Sequence, residues 1–174
     1  MLLYRPVGLK ELELIAQADF RAFPPRLPEQ PIFYPVLNFE YAQQIARDWN
    51  TKSNSFAGFV TKFEVADDYV KQFNVQIVGS QIHQELWIPA EELEEFNCHI
   101  IGTITIEAAY YGENFIGEID PETNLPKSIL TDSDRTFEWT ETAIAHLLTP
   151  ECPWYLHPKR HHSRCHEQGH SQPQ

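Results

Sequence analysis

Five of the chain's thirteen prolines fall in one stretch, FPPRLPEQPIFYP at positions 23–35. Proline fixes its own φ angle, removes a backbone donor and keeps the preceding residue extended, so no helix can run through this stretch. A long ordered connection inside a small domain is uncommon, and such connections often lie over a functional site. The sequence therefore predicts an extended loop here that lies over a site.

Size and charge exclude several classes of protein. The 174 residues fit one domain with an appendage. No run of about 18 apolar residues is present and the N-terminus has no signal-peptide pattern, so we expect a cytoplasmic protein with no membrane contact. The net charge of −12 repels phosphate backbones, which argues against nucleic acid as a partner.

Hydrophobic periodicity predicts an α+β domain. Asn38 can cap a helix at 39–50, and an earlier helix should run from Leu9 to about Phe20. Glu11 belongs to the outward face of the first helix, and Trp49 to the inward stripe of the second. Strands are expected at 2–7, 56–65, 75–78, 86–88 and 103–111, with short helices after 65 and after 89. Mixed order with strands concentrated late favours α+β over a doubly wound sheet.

We expect three parts in the chain: a core at 1–118, an extension with one helix at 119–150, and a flexible polar tail at 151–174. The tail holds five of the eight histidines. A structural zinc site needs four ligands at defined spacing, and only His161 or His162 with Cys165 or His166 comes near that pattern. Such tails more often bind metal adventitiously, so we expect no metal site. A metal-dependent regulator or dimer clasp is the weaker alternative.

Glu85 is the first candidate for a site residue. It opens the apolar strand 86–88 in HQELWIPAEELEEFN, two residues after His83. A carboxylate at a strand start can stabilise a cationic transition state or accept a hydrogen bond from a sugar hydroxyl. The alternative is a solvated edge residue paired with a lysine. His83 is a candidate for positioning a ligand, and otherwise an ordinary polar turn residue.

Four further side chains are candidates for ligand contact. Arg5 lies in an otherwise apolar strand, where its planar guanidinium needs a carboxylate, a phosphate or a carbonyl. It either binds the pyrophosphate of a nucleotide or forms a structural ion pair. Thr61, Tyr34 and Tyr41 can line a pocket through hydroxyl contact or stacking, although aromatic stripes more often belong to the core.

Four stretches of the sequence together resemble a family of small bacterial proteins labelled ADP-ribosylation/crystallin J1-like. They are YRPVGLKEL, FPPRLPEQPIFYPVLN, GFVTKFEV and HQELWIPAEELEEFNCHIIGTI, and the resemblance covers about residues 3–111. The layout is also similar to the ADP-ribosyltransferase fold. This resemblance implies split mixed or antiparallel sheets flanked by short helices, with NAD bound in a cleft between two small sheets.

The resemblance also implies roles for several of these residues. Arg5 would contact the dinucleotide, and Thr61 or Phe59 would lie near the nicotinamide. Glu85 would bind ribose and stabilise an oxocarbenium-like transition state. His83 stands where members that modify proteins often carry Gln or Glu.

Two functions follow from this resemblance. The first is an NAD-binding, ADP-ribosyltransferase-like protein, a glycosyltransferase that cleaves NAD and transfers ADP-ribose to an unidentified acceptor. NAD is then the substrate, and no metal is required. The alternative is a non-catalytic module of the same fold, whose acidic face binds a basic protein partner. Glu91, Glu92, Glu94 and Glu95 form the acidic run of that face, which otherwise is a solvated helix start.

Overall fold

A computed structural model of the protein describes residues 1–130. The predicted helix from Asp132 or Ser133 to about Leu148, and the tail at 151–174, lie outside the described residues. In chain order the elements are β1 (Leu2–Gly8), α1 (Leu9–Gln17), β2 (Ile32–Phe33), α2 (Phe39–Asp48), β3 (Ala57–Val65), α3 (Asp67–Val70), β4 (Val75–Ile77), β5 (Gln84–Leu86), β6 (Ile88–Pro89), α4 (Leu93–Cys98), β7 (Ile100–Tyr111) and α5 (Lys127–Leu130). Single 3₁₀ turns occupy Asn50–Lys52 and Ala90–Glu92.

The strands pair antiparallel throughout the described part of the chain. The largest sheet has three strands in the order β1-β3-β7. In addition, β2 pairs with β6, and β4 pairs with β5. The predicted α+β class, with antiparallel sheets and short helices, is therefore confirmed. The finer prediction of an ADP-ribosyltransferase layout stays a prediction.

The second half of the proline-rich segment contains the short strand β2 and continues extended to Val36. Ile32 pairs with Pro89 in the β2–β6 ladder, and Val36 pairs with Glu85 in the same register. Ala90 N donates to Pro31 O at 2.8 Å, and Leu86 N donates to Pro35 O at 2.9 Å. Both prolines contribute only their carbonyl oxygens to the ladder, because proline has no backbone N–H to donate. Residues 31–37 thus lie extended along residues 84–90.

Val36 joins this ladder to the large sheet. Its N–H donates to Tyr4 O at 2.8 Å and its carbonyl accepts from Tyr4 N at 2.9 Å, so the segment lies beside β1. The predicted connection over a site is therefore in part an integral strand between β1 and β5. It places the residues around Glu85 next to the centre of the fold.

Helices cover both faces of the large sheet. One face carries the main core, in which Leu12 and Ile15 of α1 are fully buried beneath β1 and β3. The other face packs against α2, where Ala42 and Ala46 lie against Val60. None of the helices in residues 1–130 has the length and apolar character needed to cross a bilayer.

Three expectations about the helices need correction. Helix α1 ends at Gln17 rather than near Phe20, because Asp19 and Phe20 adopt positive φ angles of 52° and 55°. Glu11 does not face solvent but pairs with the buried Arg5, and the side chain of Glu11 is only 21% exposed. Trp49 is not an inward residue; it follows the last residue of α2 and is 57% exposed.

Candidate functional site

Glu85 and Arg5 lie on opposite faces of the sheet. Val36 pairs directly with Tyr4 on one side and with Glu85 on the other. Directly opposed residues in antiparallel strands share a face, so these three side chains project to the face that α2 covers. Arg5 is the neighbour of Tyr4 in β1, and successive side chains of a strand alternate between faces. Its guanidinium therefore projects into the main-core side.

The Glu85 carboxylate is held in place by hydrogen bonds. Its side chain is buried, and the indole Nε1 of Trp87 donates to Oε1 at 2.7 Å. The hydroxyl of Tyr41 lies 3.5 Å from Oε2, at the outer limit of a hydrogen bond. Burial, and after it the charge of Glu85, raises the pKa of the Tyr41 phenol, so this phenol remains a donor at neutral pH.

Helix α2 sets the position of Tyr41, and through it of His83. The side-chain oxygen of Asn38 accepts from Tyr41 N at 2.9 Å, which is the predicted N-cap. The imidazole of His83 stacks on the Tyr41 ring at a centroid distance of 4.3 Å. Its Nε2 lies 3.1 Å from Gln44 Oε1, and its Nδ1 lies 3.2 Å from Val78 O. His83 thus braces the Tyr41 ring that faces Glu85.

An exposed aromatic pair lies beside Glu85. Tyr34 and Trp87 face each other across the ladder of residues 31–37 and 84–90, with ring centroids 6.1 Å apart and the rings perpendicular. The exposed fraction is 39% for Tyr34 and 47% for Trp87. Aromatic faces of this kind offer a stacking surface to a sugar ring, a base or a cation. This surface adjoins a fixed negative charge.

Arg5 makes the contacts of a structural ion pair. Its Nε donates to Glu11 Oε1 at 2.7 Å and its NH2 donates to Glu11 Oε2 at 3.2 Å. Its NH1 donates to the carbonyl of Tyr34 at 3.2 Å, and the guanidinium lies 4.5 Å above the Phe33 ring. These hydrogen bonds use three of the five N–H groups of the guanidinium. The structure contains the ion pair of the second sequence-based interpretation, and contact of Arg5 with a pyrophosphate stays a prediction.

Thr61 and Phe59 are both fully buried on the same face as Arg5. The Thr61 hydroxyl donates to the Arg5 carbonyl at 2.9 Å. The Phe59 ring belongs to the main core and contacts the Tyr111 ring edge-on at a centroid distance of 5.9 Å. Neither side chain reaches a surface where a ligand could contact it in this structure.

Five of the seven predicted residues join one chain of contacts. Arg5 binds the backbone of Tyr34, whose ring meets Trp87. The series continues from Trp87 through Glu85 and Tyr41 to His83. Thr61 donates a hydrogen bond to the Arg5 carbonyl, and Phe59 lies in the main core.

The sequence interpretation missed Trp87 and Glu11. Trp87 had a usable signal, because a residue two positions after Glu85 in a strand projects from the same face. Glu11 had no usable signal. Its helical periodicity assigns it to solvent, and its partner Arg5 becomes a neighbour only when β1 packs on α1. Charge pairing of this kind depends on tertiary structure.

The arrangement supplies one buried, preorganised anion next to exposed aromatic surface. Within residues 1–130, His, Cys, Asp and Glu side chains form no group of three or more that could hold a metal ion. Glu85 can accept a hydrogen bond, Tyr34 and Trp87 can stack on a planar or sugar ring, and Arg5 is paired with Glu11. Comparison of the chain with protein-family models, curated proteins and solved structures finds no match.

Proposed function

We propose that the protein binds NAD, or a closely related nucleotide, at Glu85 and cleaves its N-glycosidic bond in the manner of an ADP-ribosyltransferase. The observation that supports this proposal is the Glu85 carboxylate itself. It is buried, fixed by the Trp87 indole at 2.7 Å, and adjacent to the exposed rings of Tyr34 and Trp87. A fixed anion beside an aromatic surface suits a sugar that becomes positively charged during the reaction.

The chemistry follows from where charge develops. The bond between ribose C1′ and the nicotinamide nitrogen breaks, and its electron pair leaves with nicotinamide. Positive charge then spreads over C1′ and the ring oxygen until the acceptor's lone pair forms the new bond and the acceptor loses its proton. A carboxylate held in place stabilises this charge more in the transition state than in the ground state.

The two carboxylate oxygens of Glu85 have different hydrogen-bonding roles in this proposal. Oε1 is occupied by the Trp87 indole, which fixes the plane of the carboxylate. Among residues 1–130 the one hydrogen-bond contact of Oε2 is the 3.5 Å approach of Tyr41, so Oε2 would accept a further hydrogen bond from a ribose hydroxyl. The Tyr34 and Trp87 rings would stack on the substrate and keep the ribose oriented.

Arg5 acts as a positioning residue in this proposal. It ties the Tyr34 backbone to Glu11 of α1, and so holds one side of the aromatic pair. Thr61 supports the Arg5 backbone from β3. The resemblance implies direct contact between Arg5 and the dinucleotide, and that contact stays a prediction beside the ion pair with Glu11.

Release of nicotinamide from NAD tests the proposal. Glu85→Gln keeps the size and shape of the side chain but removes its charge, so nicotinamide release should fall by about 100-fold or more. The melting temperature should change by only a few degrees. Glu64→Gln, at an exposed position of β3, is the matched control and should leave the rate unchanged. Equal rates for wild type and Glu85→Gln, or no nicotinamide release by wild type, would contradict the proposal.

A second candidate is the non-catalytic module with an acidic interaction face. The observation in its favour is the negative field at the start of α4. Burial is the largest cause that raises the pKa of the Tyr69 phenol, and the charges of Glu92 and Glu95 raise this pKa further. Reversing the charge of exposed Glu91 and Glu95 should abolish salt-dependent binding of an oligolysine peptide while leaving nicotinamide release intact. If neither measurement changes, the acidic face has no such role.

A further inference from the structure

Two buried guanidinium groups share a single carboxylate beside the proline-rich segment. The side chains of Arg5 and Arg26 are 8% and 10% exposed. Glu11 Oε1 accepts from Arg5 Nε at 2.7 Å, and the same oxygen lies 3.6 Å from Arg26 NH1. Arginine stays protonated in proteins, so this cluster carries one positive charge in excess.

The two arginines differ in how one edge of the guanidinium is filled. The edge formed by Nε and NH2 of Arg5 meets both oxygens of Glu11. On Arg26 the same edge meets one neutral oxygen, because NH2 donates to Gln30 Oε1 at 2.7 Å. The Nε of Arg26 is buried and has no hydrogen-bond partner within the part of the chain that the structure describes. Half of this edge is therefore unsatisfied.

An unsatisfied buried donor on a charged group is costly, and an oxyanion with two oxygens would remove the cost. Gln30 is exposed, so its amide can move into solvent and free the NH2 group that it occupies. Its backbone is held separately by a bond from Gln30 N to Leu27 O at 2.8 Å. Burial, and after it the charge of Arg5, lowers the pKa of Arg26, and a bound anion would relieve both penalties.

We propose that Arg26 is the centre of a phosphate-binding site, in which two phosphate oxygens replace the Gln30 amide on the Nε–NH2 edge. A phosphate group carries more negative charge than a carboxylate near neutral pH, so it gains more from the excess charge of the cluster. The phosphate belongs either to inorganic phosphate or to a nucleotide. This site does not depend on the chemistry proposed at Glu85.

Calorimetric titration at low salt tests the site, with inorganic phosphate and ADP as separate probes. Arg26→Gln should weaken binding of the tighter probe by at least about tenfold, because it removes the charged edge. Gln30→Ala should leave binding unchanged or tighten it, because it removes the competing amide. Arg47→Gln is the charge-matched control at an exposed arginine and should stay within about twofold of wild type. Tighter binding of ADP identifies a nucleotide as the source of the phosphate, and equal binding identifies the free ion.

Several results would overturn the site. They are absence of binding in wild type, equal binding in Arg26→Gln and wild type, an equal loss in Arg47→Gln, and acetate binding as tightly as phosphate. If Arg26→Gln does not fold, the phosphate affinities of Arg26→Lys and Gln30→Ala test the site instead. A loss of binding in Gln30→Ala contradicts the proposal. Phosphate binding without nicotinamide release would contradict only the function at Glu85. Nicotinamide release without phosphate binding would contradict only the site at Arg26.

Discussion

The indole Nε1 of Trp87 donates a 2.7 Å hydrogen bond to Glu85 Oε1 from two positions further along the same extended segment. A single segment therefore carries the carboxylate, the donor that fixes it and one ring of the exposed aromatic pair. The other ring, from Tyr34, comes from the opposing strand of the same ladder. The site depends on the register between residues 31–37 and 84–90, because a shift by one residue would turn Glu85 to the other face.

Trp87→Phe removes the indole donor and keeps an aromatic ring. The buried Glu85 oxygen then loses its short hydrogen bond, so we expect the free energy of unfolding to fall by about 1–3 kcal/mol. Urea denaturation measures this change. Trp49→Phe is the matched control, because Trp49 is 57% exposed, and it should have little effect. An equal effect of the two substitutions would mean that the bond to Glu85 contributes nothing to stability.

Local sequence signals predicted much of the fold. The Asn38 cap, helix α2 and the strand Ala57–Val65 formed close to the expected bounds, because capping and periodicity act over a few residues. The end of α1 was less predictable, since two consecutive positive φ angles follow it at Asp19 and Phe20. Non-glycine residues with positive φ have no reliable sequence signal.

The candidate site was only partly predictable, because the pairings of Tyr41 with Glu85 and of Tyr34 with Trp87 join residues far apart in the sequence. The proline content of 23–35 correctly excluded a helix, but it gave no indication of the strand. Pro31 and Pro35 take part in that strand's hydrogen bonds through their carbonyl oxygens alone. Arg5 and Glu11 are only six residues apart, but one lies in a strand and the other in a helix, so their contact depends on how α1 packs against β1. The alternation of side chains in a strand, applied to Glu85 and Trp87, was the one signal that could have completed the site.

Removing the charge of Glu11 should destabilise the protein strongly. In Glu11→Gln the buried guanidinium of Arg5 keeps its charge but loses its carboxylate, so the free energy of unfolding should fall by about 3 kcal/mol. Urea denaturation at neutral pH measures the change. Glu118→Gln breaks the exposed pair with Lys127, and screening by solvent should make its effect negligible. If Glu11→Gln is as stable as wild type, the buried ion pair does not hold α1 and β1 together.

Tyr41 should make the protein lose stability in alkaline solution. Its pKa in the folded state is raised above the ordinary value of 10.0, so the folded state holds its proton more tightly than the unfolded state. This contribution to stability is fully present below pH 10 and is lost as the pH rises through the raised folded pKa. Burial raises the pKa of Tyr111 to about 12, which adds a loss in the same direction.

Urea denaturation at a series of alkaline pH values measures this loss of stability. Tyr41→Phe should make it smaller, and Glu85→Gln should reduce it in part, because the Glu85 charge is one cause of the shift. Tyr111 contributes equally in both variants and in wild type. An unchanged alkaline slope in Tyr41→Phe would contradict the raised pKa of Tyr41, and an unchanged slope in Glu85→Gln would contradict the close approach of Tyr41 to Glu85.

Gly58 allows α2 to lie close to β3. A Cβ at this position would overlap the carbonyl oxygen of Ala46, so Gly58→Ala must push the helix away from the sheet. We expect a loss of about 1–3 kcal/mol or more in the free energy of unfolding. Nicotinamide release should also fall, because Tyr41 moves with the helix.

Gly102→Ala is the control for this substitution. Gly102 has a positive φ of 77° but no atom within 4 Å of the added Cβ. It should lose about 1–2 kcal/mol through backbone strain and keep its nicotinamide release. Equal loss of nicotinamide release in both variants would mean that the position of α2 does not matter for the site.

Calorimetric titration of NAD into the wild-type protein and into Glu85→Gln tests the central claim most directly. Glu85 is proposed to accept a ribose hydroxyl as well as to stabilise the transition state, so its charge should contribute to binding before any bond breaks. The prediction is saturable binding to wild type at millimolar NAD or below, and binding at least about tenfold weaker to Glu85→Gln. No heat of binding with wild type at millimolar NAD, or equal affinity for both proteins, would contradict the assignment of Glu85 to an NAD site.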